Sequence, residues 1–351
     1  MSAPSATLRL GTRRSRLATA QSSQVADALR ALGHEVELVP IVTEGDVNPA
    51  SLTTIGGTGV FAAALREALA AGTIDLAVHS LKDLPTTPHP ELTVAAIPPR
   101  EDPRDAVVGR AGLTLGELGA GARVGTGSPR RIAQLAALGW GLDLQDIRGN
   151  VDTRLALVDD GTVDAVVLAH AGLRRLGLQG RVAEVLDPIQ MLPAPGQGAL
   201  AVECRTDRTD LRDLLATLDD HDTRTCVEAE RAVLAALEAG FSAPLGALAE
   251  IVEGESPDET TTPDTTTQEM TLELSLRAFV GSEDGSAELR RSIVGAPRDP
   301  TALGRALADL LLEDGAADLV PRPAPAAASH APPRTEQHRP TTPETSLENT
   351  P

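Results

Sequence analysis

The sequence predicts an α/β protein of two lobes followed by a small α+β C-terminal domain. Three observations carry this. A strand–helix–strand order, which favours parallel pairing, begins at Thr7 and starts afresh after Asp105. Two proline-rich stretches, 97–103 and 192–198, frame the second unit, so the chain leaves the first lobe and returns to it, as in a hinged binder. Beyond residue 220 the order changes to a helix, three strands and a last helix. The expected boundaries are 7–98 with 199–218 for lobe one, 104–192 for lobe two and 221–320 for the third domain.

In lobe one, 7–10 reads as a strand and 11–15 as a polar turn. A helix fits 16–32, with Val25, Leu29 and Leu32 on one face and Gly33 just past its end. Residues 36–42 form a second strand. The Gly-rich stretch 55–60 matches neither a Walker nor a Rossmann spacing and reads as a mobile loop before the helix 61–71. The β-branched run 73–78 reads as a buried strand.

Lobe two opens with strands at 105–108 and 123–126. Ser128 and Pro129 supply a helix N-cap and first residue, and Gly139 marks its end. Strands at 142–147 and 163–169 and a helix at 172–176 follow. The chain then returns through a strand at 199–203 and a helix at 210–218. The third domain has a helix at 222–238, strands at 245–252, 272–280 and 289–294, and a helix from Asp299-Pro300 to Leu312. The acidic, Thr/Pro-rich stretch 253–269 contains no basic residue and reads as a disordered insertion. Residues 321–351, with eight prolines, read as a disordered tail.

Composition excludes several classes. The formal charge is −19; residues 1–249 hold 31 acidic and 23 basic side chains, and 250–351 hold 19 and 8. That balance, with only four aromatic residues, argues against a nucleic-acid partner. No run of 18 apolar residues suggests a membrane span, and the N-terminal stretch carries four arginines with no apolar core, unlike a secretory signal. Cys204 and Cys226 make no disulfide framework, and the seven histidines are scattered, so no metal is expected. A cytoplasmic protein is the expectation.

The chemistry concentrates at 77–85, Ala-Val-His-Ser-Leu-Lys-Asp-Leu-Pro. Lys82 is the only lysine among 31 basic residues, and it stands beside Asp83 just after a strand, where α/β sheets bind ligands. A solvated surface pair would look the same in isolation. Yet basic turns recur at Arg13, at Arg130 and Arg131 and at Arg148 and Arg154, each at a strand end. Such repetition in an acidic protein implies a cleft for a polyanion, most simply a carboxylate, which arginine grips in two-pronged fashion.

These motifs, together with Arg100-Glu101-Asp102-Pro103-Arg104-Asp105 and Pro195-Gly196-Gln197-Gly198, resemble the porphobilinogen deaminase (hydroxymethylbilane synthase) family, in order from about Leu8 to Val320. The resemblance implies lobes like those of periplasmic binding proteins and a monomer. It implies stepwise joining of four porphobilinogen units with loss of ammonia, and a dipyrromethane cofactor. Asp83 matches the family's catalytic aspartate. Arg13, Ser15, Ser80, Lys82, Thr126, Ser128, Arg130, Arg131, Arg148, Arg154 and Gln197 would hold substrate and cofactor carboxylates. Three positions depart from the pattern. Phe241 stands where the family carries its cofactor cysteine, and it offers no nucleophile for a thioether. Thr58 replaces a frequent lysine. Gly127 and Pro129 replace serine and leucine. The alternatives are an impaired paralogue that binds porphobilinogen or linear polypyrroles, and a binder of an unrelated anion.

Overall fold

The computed structural model describes residues 7–42, 60–237, 243–255 and 270–320. The expectations for Thr58, Phe241 and the tail 321–351, and most of those for the loop at 55–60 and for the insertion, fall outside these residues; Val60, expected in the loop, already belongs to a helix. The described chain runs β1 (Leu8–Arg13), α1 (Arg16–Ala31), β2 (Val36–Ile41), α2 (Val60–Ala70), β3 (Leu76–Ser80), a 3-10 turn at Leu81–Asp83 and β4 (Leu92–Ala96). Lobe two contains β5 (Asp105–Gly109), β6 (Arg123–Gly125), α3 (Pro129–Ala137), β7 (Asp143–Gln145), α4 (Val151–Asp159), β8 (Ala165–Ala169), α5 (His170–Arg175) and β9 (Glu184–Val185). The return supplies β10 (Leu200–Arg205) and α6 (Thr209–Ala216). The third domain is α7 (His221–Ala236), β11 (Leu245–Glu255), β12 (Met270–Gly281), β13 (Glu288–Gly295), α8 (Pro300–Glu313) and α9 (Ala316–Leu319).

The two lobes share one plan. Their sheets are ordered β2-β1-β3-β10-β4 and β7-β6-β8-β5-β9. Four of the five strands in each run the same way, and the fourth in order, antiparallel to both neighbours, is the strand that follows a crossing between lobes. Both faces of each sheet are covered, which is why central strands such as β8 (Ala-Val-Val-Leu-Ala) are apolar throughout rather than alternating. In lobe one, Val25, Ala26 and Leu29 of α1 pack on Leu10 and Leu76, while Leu65 and Leu69 of α2 meet Ile74 and Ala77 on the opposite face. Ser15 caps α1, accepting the Ala18 N–H at 3.3 Å. No described helix is long and apolar enough to cross a membrane.

The crossings lie side by side: Glu101 N donates to Gly198 O at 3.3 Å. Gly198 has φ +89°, and a Cβ there would sit 2.2 Å from Glu101 O, so only glycine permits the approach. The third domain seats α7 and α8 on one face of its antiparallel sheet. The other face buries Phe279 and Leu248 against Ala133 and Leu192 of lobe two.

Two differences from the sequence expectations are informative. β11 continues to Glu255, pairing Glu253 with Leu272, so the ladder extends three residues into the stretch expected to be unpaired. β4 was not expected; its partner β10 arrives more than 100 residues later, beyond the reach of local pattern.

Candidate active site

β3 delivers the polar group. Its residues 76–79 are buried, and the strand ends at Ser80, whose hydroxyl accepts the Gln21 Nε2 at 2.8 Å. Pro85, lacking an N–H, keeps the following 3-10 turn from lengthening into a helix. Leu81 and Leu84 are pinned in an apolar cluster with Ala199, Ala201 and Val227, which leaves Lys82 and Asp83 on the other side. Asp83 lines a small recess with Arg13, Gln21, His79 and Ser80.

Lys82 reaches toward lobe two. Its Nζ donates to Gln197 Oε1 at 3.2 Å, and Gln197 Nε2 donates to Asp105 Oδ1 at 2.9 Å. Burial pushes the Lys82 ammonium down to about 8; Asp83 and Asp105 oppose this, and Arg131 and Arg130 reinforce it. Asp105 is fully buried and pairs with both Arg130 and Arg131 at 2.7 Å. Burial alone would raise its carboxyl, but the two guanidiniums overcome that and hold it far below the usual range.

Arg130 and Arg131 therefore do not lie in a wet cleft, as their place in a polar turn suggested; they are 3% and 5% exposed. Arg130 also donates to Leu192 O, and Arg131 to Val167 O. Thr126 is buried, and its hydroxyl accepts the Ser128 N–H at 3.3 Å. Ser128 is the N-cap residue of α3, with its side chain making no cap bond. Arg148 and Arg154 are more open: Arg148 bonds Asp146 at 2.9 Å and Arg154 bonds Gly149 O at 3.0 Å. Burial, with Arg131 and Arg148 nearby, lowers the Arg154 guanidinium to about 10. The glycine at 127 has a local reason, since a Cβ there would lie 2.5 Å from Ile147 O.

Of the predicted residues, Lys82, Gln197, Arg130 and Arg131 are thus joined in one chain of contacts through Asp105. Arg13, Ser80 and Asp83 line the separate recess, and Arg148 and Arg154 bond local partners. Sequence reading missed the acids that hold it. Asp105 is one. Another is Glu203, in the middle of β10, which Arg66 grips at 2.7 and 3.0 Å and His79 approaches at 3.2 Å. Burial would raise Glu203, yet His79 and Arg66 hold it at about 2. A charge inside an apolar strand, as in Ala-Val-Glu-Cys, is the signal that would have found it, because a buried carboxylate needs a partner. A separate cavity of about 480 Å³ opens beside the crossings, lined by Gln24, Glu101, His170, Arg174, Arg175 and Gln179.

Arg148 suits a polycarboxylate such as dipyrromethane: it is one-third exposed and its Nε is buried without a hydrogen-bond partner. The thiols do not suit a thioether. Cys204 and Cys226 are buried, and burial pushes them up to about 11 and about 12, away from the reactive thiolate.

Comparison with known proteins completes the assignment. Residues 8–213 match the family described as porphobilinogen deaminase, dipyromethane cofactor binding domain, and residues 224–313 match porphobilinogen deaminase, C-terminal domain. The porphobilinogen deaminase of Nocardia farcinica is 57% identical over 313 residues, covering 89% of this chain and 88% of that protein. That of Mycobacterium tuberculosis H37Rv is 56% identical over 313 residues, covering 89% and 98%. Among solved structures, lipoprotein Tp32 of Treponema pallidum matches 60% of this chain and 89% of its own at 14% identity, with a TM-score of 0.40, too low to bear on the assignment. The chain belongs to the porphobilinogen deaminase family.

Proposed function

We infer that this chain joins four porphobilinogen units head to tail, releasing one ammonia per unit, and frees the linear tetrapyrrole by hydrolysis as hydroxymethylbilane. The observation that carries the reading is the contact chain from Lys82, next to Asp83 on the same turn of lobe one, through Gln197 to the Arg130–Arg131–Asp105 cluster of lobe two. Loss of ammonia from the aminomethyl group leaves a cationic methylene-pyrrole. Asp83, an anion in a recess, stabilises that cation and the pyrrole N–H groups beside it. It then assists removal of the ring proton displaced when the new carbon–carbon bond forms. Lys82, Arg148 and Arg154 hold ring carboxylates, with Arg13, Ser15, Ser80, Thr126 and Ser128 around them; Gln197 keeps Lys82 in register with lobe two. A bound dipyrromethane supplies the pyrrole carbon to which the first unit is joined, and the arginines hold its carboxylates. Two free thiols suit a reducing compartment, and we propose a cytoplasmic monomer.

Asp83→Asn tests the reading. Turnover falls by about 10²–10⁴-fold, the worth of a positioned acid–base group, while porphobilinogen still binds. Unchanged turnover overturns the assignment. A second reading, favoured by Phe241, is a chain that binds porphobilinogen or linear polypyrroles without assembling them; full-length product from the purified protein excludes it.

A further inference from the structure

Arg231 extends from α7 of the third domain to the underside of the turn that carries Lys82 and Asp83. Its Nη1 donates to Leu81 O at 3.2 Å and Leu84 O at 3.0 Å, and its Nη2 donates to Pro85 O at 2.7 Å. Among the described residues it forms no salt bridge, and its three hydrogen bonds go to this one turn. The turn needs them. Pro85 ends the helical pattern, so the carbonyls of Leu84 and Pro85 gain no donor from a following helical turn, and Leu81 O has only the Leu84 N–H at 3.1 Å. Val227, one helical turn earlier on α7, packs with Leu81 and Leu84. One face of α7 therefore grips the turn by an apolar contact and by a cation against three carbonyl oxygens.

The grip is charge-assisted and shielded. Burial, with Arg66 nearby and Glu203 opposing, lowers the Arg231 guanidinium to about 10, which leaves it cationic at neutral pH. Arg66 and Glu203 face it from α2 and β10, and their own mutual ion pair leaves Arg231 directed to the carbonyls. We propose that Arg231 is a positioning residue for the reaction: it fixes the turn Leu81–Asp83 and so makes the placement of Lys82 and Asp83 depend on the docked third domain. The inference rests on the reading of Asp83 as the reacting carboxylate.

The test uses the full chain with Arg231→Ala, Arg231→Gln and Arg231→Lys, and Asp83→Asn as control. Because Lys82 is the only lysine, ¹⁵N-lysine labelling of the parent, alanine and glutamine proteins gives one side-chain signal that reports on the turn without requiring turnover. Lys82 faces Asp83 on its own turn, Asp105, Arg130 and Arg131 from lobe two and Gln197 from the second crossing. The parent signal titrates near 8. In Arg231→Ala the loosened turn lets water reach the ammonium, and the midpoint rises by about one unit or more toward 10.5. In kinetics, Arg231→Ala lowers kcat by about 100-fold, the cost of an ångström's misplacement, with KM little changed. Arg231→Lys restores part of kcat, and added millimolar guanidinium restores part of it to the alanine protein. If the alanine protein does not fold, the glutamine protein carries the same readouts. An unchanged Lys82 midpoint, or a kcat that falls only with the folded fraction, overturns the proposal. Full activity in Asp83→Asn overturns the acid–base reading instead, and the Lys82 midpoint then decides whether Arg231 positions the turn.

Discussion

Arg100 and Glu230 form a two-pronged ion pair, Nη1 to Oε1 at 2.7 Å and Nη2 to Oε2 at 3.0 Å, with Glu230 fully buried. Glu230 also accepts the N–H groups of Gly196 at 2.6 Å and Ala249 at 2.9 Å. One carboxylate of α7 thus ties together both crossings and the first strand of the third domain.

Glu230→Gln leaves Arg100 as an uncompensated charge at that junction. The expected loss is about 3–5 kcal/mol of stability, read by urea unfolding. A change below about 1 kcal/mol would show that the junction relaxes around the amide.

Arg130 and Arg148 separate structural from ligand-facing arginines. Arg130→Ala removes one of two partners of buried Asp105 and costs about 3 kcal/mol. Arg148, one-third exposed, shifts stability by about 0.5 kcal/mol or less when replaced by alanine. Its loss weakens binding of a porphobilinogen-derived chain by about tenfold or more, the worth of a charged hydrogen bond. Calorimetry on both variants checks the contrast; equal affinity for the parent and Arg148→Ala counts against a carboxylate contact there.

Glu203 sets an acid limit to stability. Its folded pKa of about 2 lies below the ordinary 4.5, so folding favours the ionised form. The stabilisation is complete above about pH 4.5 and is lost as pH falls toward 2; its size is on the order of 3 kcal/mol. Asp102, held at about 2 by Arg104 and His170 against its burial, acts in the same direction. Unfolding free energies measured between pH 2 and 6 should fall less steeply in Glu203→Gln than in the parent. Identical slopes would remove Glu203 from the account.

Phe241→Cys tests the missing attachment. The parent, exposed to porphobilinogen, is expected to show no covalent gain in intact mass, because Cys204 and Cys226 are buried thiols far from ionisation. The cysteine variant is expected to gain two pyrrole units and to turn over faster. A covalent gain in the parent would point to another nucleophile.

Much of this was legible in the chain. The two crossings, the lobe return and the Lys82–Asp83 turn follow from proline spacing, apolar runs and the single lysine. So does the helix cap at Asp299, which accepts the Ala302 N–H at 3.0 Å ahead of Pro300. The pairing of β4 was not legible, because its partner lies far away in sequence. Nor was the burial of Arg130 and Arg131: a basic pair after a Ser-Pro cap reads as solvent-facing until Asp105, 26 residues from Arg131, is known to lie beneath it. Ionic partners at such separations leave no periodic trace.

The antiparallel strand in lobe one has a consequence for synthesis. β10 lies between β3 and β4, so until residues 200–205 leave the ribosome both strands present open edges. Lobe two, encoded entirely between the halves of lobe one, has its whole sheet by residue 185 and can close first. The nascent first lobe must wait with a gap in its sheet, bearing the turn that carries Asp83, and is the segment most open to chaperones and to mispairing at the ribosome.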